Sequence, residues 1–170
     1  MKPFLDLQLV AFPQDGYLRS AGAVENLRRA LERGVDVVGG IPHFERTMAD
    51  GAASIRALCE IAAERGLRVD MHCDETDDDH SRFLETMVSE TIARGMTGRV
   101  TASHTTAMHS YNNAYANRLI TNIKRAGLNM VTNPLAVQAR FVITEAGDVQ
   151  SRLGNFFSEV ELLSKQRRRI

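Results

Sequence analysis

The sequence predicts an α/β fold in which short parallel strands alternate with helices, in the manner of a (β/α)8 barrel. Three observations predict this fold. Short apolar runs recur along the chain, amphipathic stretches with helical spacing lie between them, and a glycine follows each helical stretch. The strand–helix unit repeats about every 30 residues, which is the length expected of a strand followed by its crossover helix.

The apolar runs predict five strands. Each run is short and rich in Val, Leu and Met, which is typical of parallel strands that are buried on both faces. The five runs are residues 7–12, 35–39, 67–71, 99–103 and 128–132.

Apolar residues at positions i, i+3 and i+4 predict four helices that lie on the sheet, over residues 23–33, 52–65, 82–94 and 113–125. A glycine follows each of them, and glycine can take the left-handed conformation that ends a helix. These glycines are Gly34, Gly66, Gly95 and Gly127.

Polar residues after the strands favour a closed barrel over an open, doubly wound sheet. An open sheet places its site at one switch point, whereas a barrel collects residues from all its strands at one mouth. Here every predicted strand is followed by polar side chains, which are Gln14, His43, His72, Asp74, Glu75, His104 and Asn133.

His72, Glu75 and His104 are the candidate residues for chemistry. A single histidine at a strand end is more often structural. Neighbouring parallel strands lie about 4.8 Å apart, however, so His72 and His104 can face one pocket. Neutral imidazoles bind divalent metals, and a nearby carboxylate can move the proton of a water molecule. Two such histidines and one acid therefore favour a hydrolytic metal site.

The remaining polar candidates have simpler explanations. His43 is expected to form hydrogen bonds within a loop, His109 to serve in packing or capping within a loop or first helical turn, and His80 to be a solvated residue at a helix N-terminus. The amide of Gln14 matches the donor–acceptor edge of a pyrimidine, but Gln14 is equally well explained as a turn residue after Pro13.

Composition excludes several classes of partner. The chain has 21 Lys and Arg residues against 21 Asp and Glu residues, so no net charge attracts nucleic acid or an anionic membrane. No apolar run approaches the roughly 20 residues that span a bilayer. Cys59 and Cys73 form no CxxC pair and are expected to be reduced thiols. We therefore expect a cytoplasmic protein that binds neither nucleic acid nor membrane.

Long motifs occur in a fixed order along about the first 135 residues. They closely resemble bacterial cytosine deaminases of the amidohydrolase superfamily, from about residue 4 to residue 135. The motifs are Val10-Ala-Phe-Pro-Gln-Asp-Gly16, Asp36-Val-Val-Gly-Gly-Ile-Pro-His-Phe-Glu45, Asp70-Met-His-Cys-Asp-Glu75, Ser81-Arg-Phe83, Thr101-Ala-Ser-His-Thr-Thr-Ala-Met-His-Ser-Tyr-Asn112 and Asn133-Pro-Leu135.

The resemblance implies a distorted (β/α)8 barrel with one divalent metal, Fe or Zn. It implies that His72 is a metal ligand, that Glu75 carries a proton from the hydrolytic water to the ring and the leaving ammonia, and that His104 orients this water. It also implies that Gln14 grips the edge of a pyrimidine. The reaction would be the conversion of cytosine and water into uracil and ammonia, as in pyrimidine salvage.

The sequence also departs from the family. It contains no His-x-His pair, which the family carries on its first strand, and no strand-end Asp after Asn133. Residues 1–135 are therefore predicted to hold strands three to seven of the barrel. Residues 136–170 are predicted to be a divergent tail that is helical from about residue 148.

We expect such a chain to be incomplete, inactive alone and self-associating through its open sheet edges, as a homo-oligomer. Two alternatives remain. The chain is a truncated, non-catalytic relic or interaction protein, or its substrate is another small cyclic amidine such as isocytosine, creatinine or a triazine-type ring.

Overall fold

The computed structural model of the protein describes residues 6–132. They form one parallel sheet of five strands that lie side by side in chain order. This order never reverses, so the sheet lacks the switch point of a doubly wound fold and forms an arc of a (β/α)8 barrel, as predicted. The strands are β1 (Val10–Ala11), β2 (Val37–Gly40), β3 (Arg68–Cys73), β4 (Val100–His104) and β5 (Asn129–Val131).

Four helices connect the strands, and their glycine ends are confirmed. The four glycines predicted to end them all have positive φ angles, between 60° and 81°. Two short 3-10 helices, η1 (Pro42–Phe44) and η2 (Thr106–Ser110), follow β2 and β4 and were not predicted. The helices are α1 (Ala23–Glu32), α2 (Met48–Glu64), α3 (Phe83–Ala93) and α4 (Asn113–Ala126).

Two elements differ in length from the prediction. The first strand is predicted over 7–12, but β1 has only two residues, because only Val10 and Ala11 pair with β2. The helix predicted from residue 52 begins at Met48, because the Thr47 side chain caps it by accepting the Asp50 N–H at 3.0 Å.

The two faces of the sheet differ in polarity. Val69, Met71 and Cys73 of β3 are buried in the core beneath the helices. Since side chains alternate along a strand, Asp70 and His72 point to the opposite face, which is the interior side of the barrel. In β4, Val100 and Ala102 likewise belong to the core. The helices therefore stabilise the sheet from one side and leave polar side chains on the other.

Both edges of the sheet expose apolar side chains. Leu7, Leu9 and Val10 at the β1 edge are 62%, 55% and 41% exposed, and Val131 in β5 is 54% exposed. β1 and β5 each have one neighbour, whereas every strand of a closed barrel has two. Within residues 6–132, no helix is long and apolar enough to cross a membrane. The predicted boundary at residue 135, Asn133, and the predicted tail at 136–170 lie outside the described residues.

We predict that Gly51→Ala destabilises the fold. Gly51 lies in the first turn of α2, where an added Cβ would stand 2.7 Å from the Pro42 carbonyl oxygen and also against the Phe83 ring. Helix propensity alone would stabilise the variant by about 1 kcal/mol, but overpacking costs about 1–3 kcal/mol. Urea unfolding measures the difference, and Ala53→Gly in the same helix calibrates the propensity. A variant as stable as the native chain would show that α2 adjusts freely.

Candidate active site

Three side chains from the ends of β3 and β4 meet on the face of the sheet opposite the helices. Nδ1 of His72 lies 3.7 Å from Oε2 of Glu75, and Nδ1 of His104 lies 3.6 Å from Oε1 of the same carboxylate. The two imidazole rings are edge to face, with 4.4 Å between their centroids. The structure thus brings together the two histidines and the acid that the sequence singled out.

Left-handed backbone at the strand ends produces this convergence. His104 pairs in register with Cys73, whose side chain is in the core, so regular alternation would also point His104 toward the helices. Instead φ is 76° at His104 and 50° at Thr105, and the imidazole meets His72. Asp74, directly before Glu75, has a φ of 55°. Such conformations cost about 1–2 kcal/mol for residues other than glycine, so the surrounding contacts must hold them in place.

An aromatic side chain supports His72 from the neighbouring loop. The Phe12 ring lies 4.7 Å from the His72 ring, centroid to centroid. Gly39 in β2 makes room for it, since a Cβ at that position would come within 2.5 Å of the Phe12 ring. His72 is therefore held between Phe12 and His104.

Burial lowers the pKa of His72, and the neighbouring His104 lowers it further. Glu75 and Asp70 act in the opposite direction but do not overcome burial. His72 is consequently neutral at pH 7, and its free lone pair is available to a metal ion. Burial also raises the pKa of Asp74, against the hydrogen bonds that this carboxylate accepts from Leu84, Ser81 and Phe83.

Gln14 lies apart from the histidines. It is exposed in the turn after β1 and lines a cavity of about 400 Å³ between that turn and α1. The cavity is not lined by His72, Glu75 or His104. Its lining residues belong to the end of β1, the loop that follows and α1, beside the strand at which a closed barrel would continue with another strand–helix unit.

The loop that carries Gln14 is fixed by a carboxylate after β2. Glu45 accepts the main-chain N–H groups of Tyr17, Leu18 and Arg19, at 2.6, 3.0 and 2.8 Å. These hydrogen bonds join the loops after β1 and β2. Neither the apolar strand runs nor the helical spacing of the sequence predicts this contact.

The other three histidines lie where the sequence placed them. His43 lies in η1, against the Phe44 ring. The His80 side chain is 82% exposed before α3. His109 lies in η2, with Nδ1 2.6 Å from the Thr106 carbonyl oxygen and Nε2 2.8 Å from the Ser110 hydroxyl. All three are outside the group formed by His72, Glu75 and His104.

Comparison with known proteins identifies the family. The sequence model of the amidohydrolase family matches residues 2–165, nearly the whole chain. The chain belongs to the amidohydrolase family. The match also runs beyond residue 135, where the resemblance read from the motifs ends.

Solved structures of this family confirm the resemblance to cytosine deaminases and the partial-barrel fold. The 5-methylcytosine deaminase from Klebsiella pneumoniae superposes with a TM-score of 0.73 and 49% identity, over 75% of this chain and 31% of that chain. In sequence, the N-isopropylammelide isopropyl amidohydrolase of Pseudomonas sp. (strain ADP) is 28% identical over 134 residues, 78% of this chain and 32% of that protein.

Pterin deaminase of Rhizobium rhizogenes is also 28% identical, over 135 residues that make up 79% of this chain and 30% of that protein. The chain thus spans about a third of the length of the relatives it matches.

The donor atoms of this amidohydrolase chain suit a divalent metal. One ligand atom from each of His72, Glu75 and His104 can be chosen so that all three lie within 4.8 Å of one another. Imidazole and carboxylate donors are those used by zinc and iron sites. Within residues 6–132, His72, Glu75 and His104 form the one group of three or more His, Cys, Asp or Glu side chains whose ligand atoms can converge on one ion.

We predict that His72 makes the fold less stable in mild acid. Its pKa is lowered in the folded chain, so the unfolded chain binds more protons as the pH falls through the usual histidine range near 6.5. The stabilising contribution of neutral His72 is therefore complete above this range and is lost below it. Urea unfolding at about pH 7.5 and about pH 5.5 measures the loss, which His72→Asn should reduce. An unchanged pH dependence in His72→Asn would contradict the assignment.

Proposed function

We propose that this chain supplies the central part of the active site of a metal-dependent deaminase that converts cytosine and water into uracil and ammonia. The convergence of His72, Glu75 and His104 at neighbouring strand ends supports this function most directly. The 49% identity to a 5-methylcytosine deaminase favours a pyrimidine as the substrate.

His72 is the proposed metal ligand. It is neutral at pH 7, half-buried and held from two sides by Phe12 and His104, so its imidazole is already oriented for binding. The ion, Fe or Zn, would lower the pKa of a water molecule and polarise the substrate. The resemblance implies that its other ligands come from strands outside the described chain.

Glu75 is the proposed proton carrier. Its carboxylate lies beside both imidazoles, and its side chain is 29% exposed, so water can reach it. In the reaction, the water oxygen bonds to the ring carbon that bears the amine, and the C–N bond breaks. Glu75 accepts the first proton of the water and passes it to the ring nitrogen, and then moves the second proton, from the hydroxyl now bonded to the ring carbon, to the amine, which leaves as ammonia while the carbonyl group forms.

His104 and Gln14 would orient the reactants. His104 is turned toward Glu75 by its left-handed backbone, and its imidazole can form a hydrogen bond with the same water molecule. Gln14 offers one amide donor and one acceptor to the pyrimidine edge. Because Gln14 lines the cavity at the open β1 edge, its contact with the substrate depends on the closure of that edge.

The proposed function goes with a division of the chain into two parts. Residues 1–135 would form the partial barrel domain and residues 136–170 a divergent tail. We still predict a cytoplasmic homo-oligomer that binds a small cyclic amidine and binds neither nucleic acid nor membrane. A second candidate is action on a different ring, which the 28% identity to a pterin deaminase and to an N-isopropylammelide amidohydrolase supports.

We predict that residues 6–132, grafted into the Klebsiella deaminase in place of the matching segment, give a chimera that releases ammonia from cytosine. The 170-residue chain alone should bind zinc weakly and be inactive, because a catalytic zinc takes about three protein ligands and resemblance assigns it one here. Metal analysis and ammonia release measure both. A chimera active on other rings but not cytosine would contradict the substrate, and one tightly bound metal with turnover in the chain alone would contradict the ligand set.

We predict that Glu75→Gln in the same chimera lowers kcat far more than it raises KM. A proton carrier acts in the transition state, so its loss should reduce kcat by roughly 10²-fold or more. Glu85→Gln, at an exposed helix position, is the matched control and should leave kcat unchanged. A near-normal kcat in Glu75→Gln would assign Glu75 a supporting role only.

A further inference from the structure

Asp74 is a fully buried carboxylate directly before Glu75, and both of its oxygens accept hydrogen bonds. Oδ1 accepts the Ser81 hydroxyl at 2.7 Å and the Phe83 N–H at 3.0 Å. Oδ2 accepts the Leu84 N–H at 2.9 Å. Phe83 and Leu84 are the first residues of α3, so the charge lies at the positive end of this helix.

A tyrosine from the loop after β4 completes the enclosure. The Tyr111 hydroxyl lies 3.4 Å from Oδ2 of Asp74 and also contacts the Ser81 carbonyl oxygen. Burial and the charge of Asp74 raise the pKa of Tyr111, so its hydroxyl keeps its one proton, for which the Asp74 carboxylate and the Ser81 carbonyl oxygen compete as acceptors. Asp74 is thereby tied to α3 and to the segment that follows η2.

The main chain around Asp74 is joined to the loop that carries His104. The Asp74 carbonyl oxygen accepts the Ala107 N–H at 2.9 Å, and the Cys73 carbonyl oxygen accepts the Thr105 N–H at 3.0 Å. Side chain and main chain together therefore fix the left-handed conformation of Asp74. That conformation sets the direction of the backbone at the next residue, Glu75.

We propose that Asp74 is a positioning residue, whose buried carboxylate holds Glu75 between His72 and His104. The inference rests on the proposed role of Glu75 in the reaction, but the contacts that carry it do not involve a metal ion or a substrate. If the carboxylate contacts are lost, the backbone at residue 74 can relax from φ 55°, and the Glu75 side chain leaves the two imidazoles.

A double-mutant cycle in the 170-residue chain tests this role. Asparagine, like aspartate, tolerates a left-handed backbone. The Asp74→Asn change, however, replaces one acceptor oxygen with an NH2 group, and this donor would then face N–H or O–H groups that are themselves donors. The readout is the ring nitrogen signals of His72 and His104 in NMR spectra at one fixed pH. Asp74→Asn should move both sets of signals by at least about half the change caused by Glu75→Gln, and should move them little in the Glu75→Gln background.

Two further variants keep the test decisive if Asp74→Asn does not fold. Ser81→Ala and Tyr111→Phe each remove one donor and leave the carboxylate in place, so each should give a smaller change that also disappears in the Glu75→Gln background. His80→Gln, exposed on the same loop, is the matched control and should leave the signals unmoved.

The cycle separates this inference from the proposed function. The readout needs neither metal nor turnover, so a coupled response in a chain whose chimera fails to deaminate cytosine would still support Asp74 as the residue that positions Glu75. Unmoved imidazole signals in folded Asp74→Asn, or in folded Ser81→Ala and Tyr111→Phe, would overturn it. Equal changes with and without Glu75→Gln would also overturn it, because Asp74 would then act on the histidines without Glu75.

Discussion

Carboxylates that accept main-chain N–H groups hold the functional edge of this sheet together. Loops after parallel strands have no ladder partners, so their buried amide groups must find acceptors elsewhere. Glu45 accepts three consecutive amides of the loop after β1, and Asp74 accepts the first two amides of α3. The strand-end loops thereby become fixed supports. The positions of Gln14, Glu75 and His104 depend on these supports, because each lies in or beside a loop that one of the two carboxylates joins to its neighbour.

The elements and the meeting of the histidines could be predicted from sequence because both depend on local patterns. Apolar spacing located the five strands and four helices, and glycine marked the helix ends. Strand spacing placed His72 near His104. The direction of the His104 side chain was not predictable, since alternation alone points it toward the core. Its left-handed backbone could not be read from the sequence, because histidine adopts this conformation only occasionally and threonine, which is β-branched, adopts it rarely.

Asp74 and Glu45 were beyond sequence reasoning for a different physical reason. The partners of Asp74 lie between 7 and 37 residues away, and those of Glu45 between 26 and 28 residues away. No helical or strand period connects such positions, so only the folded chain brings them together. An acid between a strand and a helix is ordinarily read as a solvated residue, and Asp74 differs only because the structure buries it completely.

The chemical role of Glu75 depends on how many other ligands an ion at this site can find. If His72 and His104 are the only other donors, an ion gains most by taking the Glu75 carboxylate as its third ligand, and all three donor groups are close enough for that arrangement. A carboxylate bound to the ion cannot also carry a proton. Once other strands supply ligands, the ion can be held without Glu75, and the carboxylate stays beside both imidazoles without binding the ion. In the function proposed above, the same three side chains would bind a metal ion weakly in an open sheet and would form the proton-transfer part of a hydrolytic site in a closed barrel. The difference between the two states would be the closure of the β1 and β5 edges, not a change in the residues of the site.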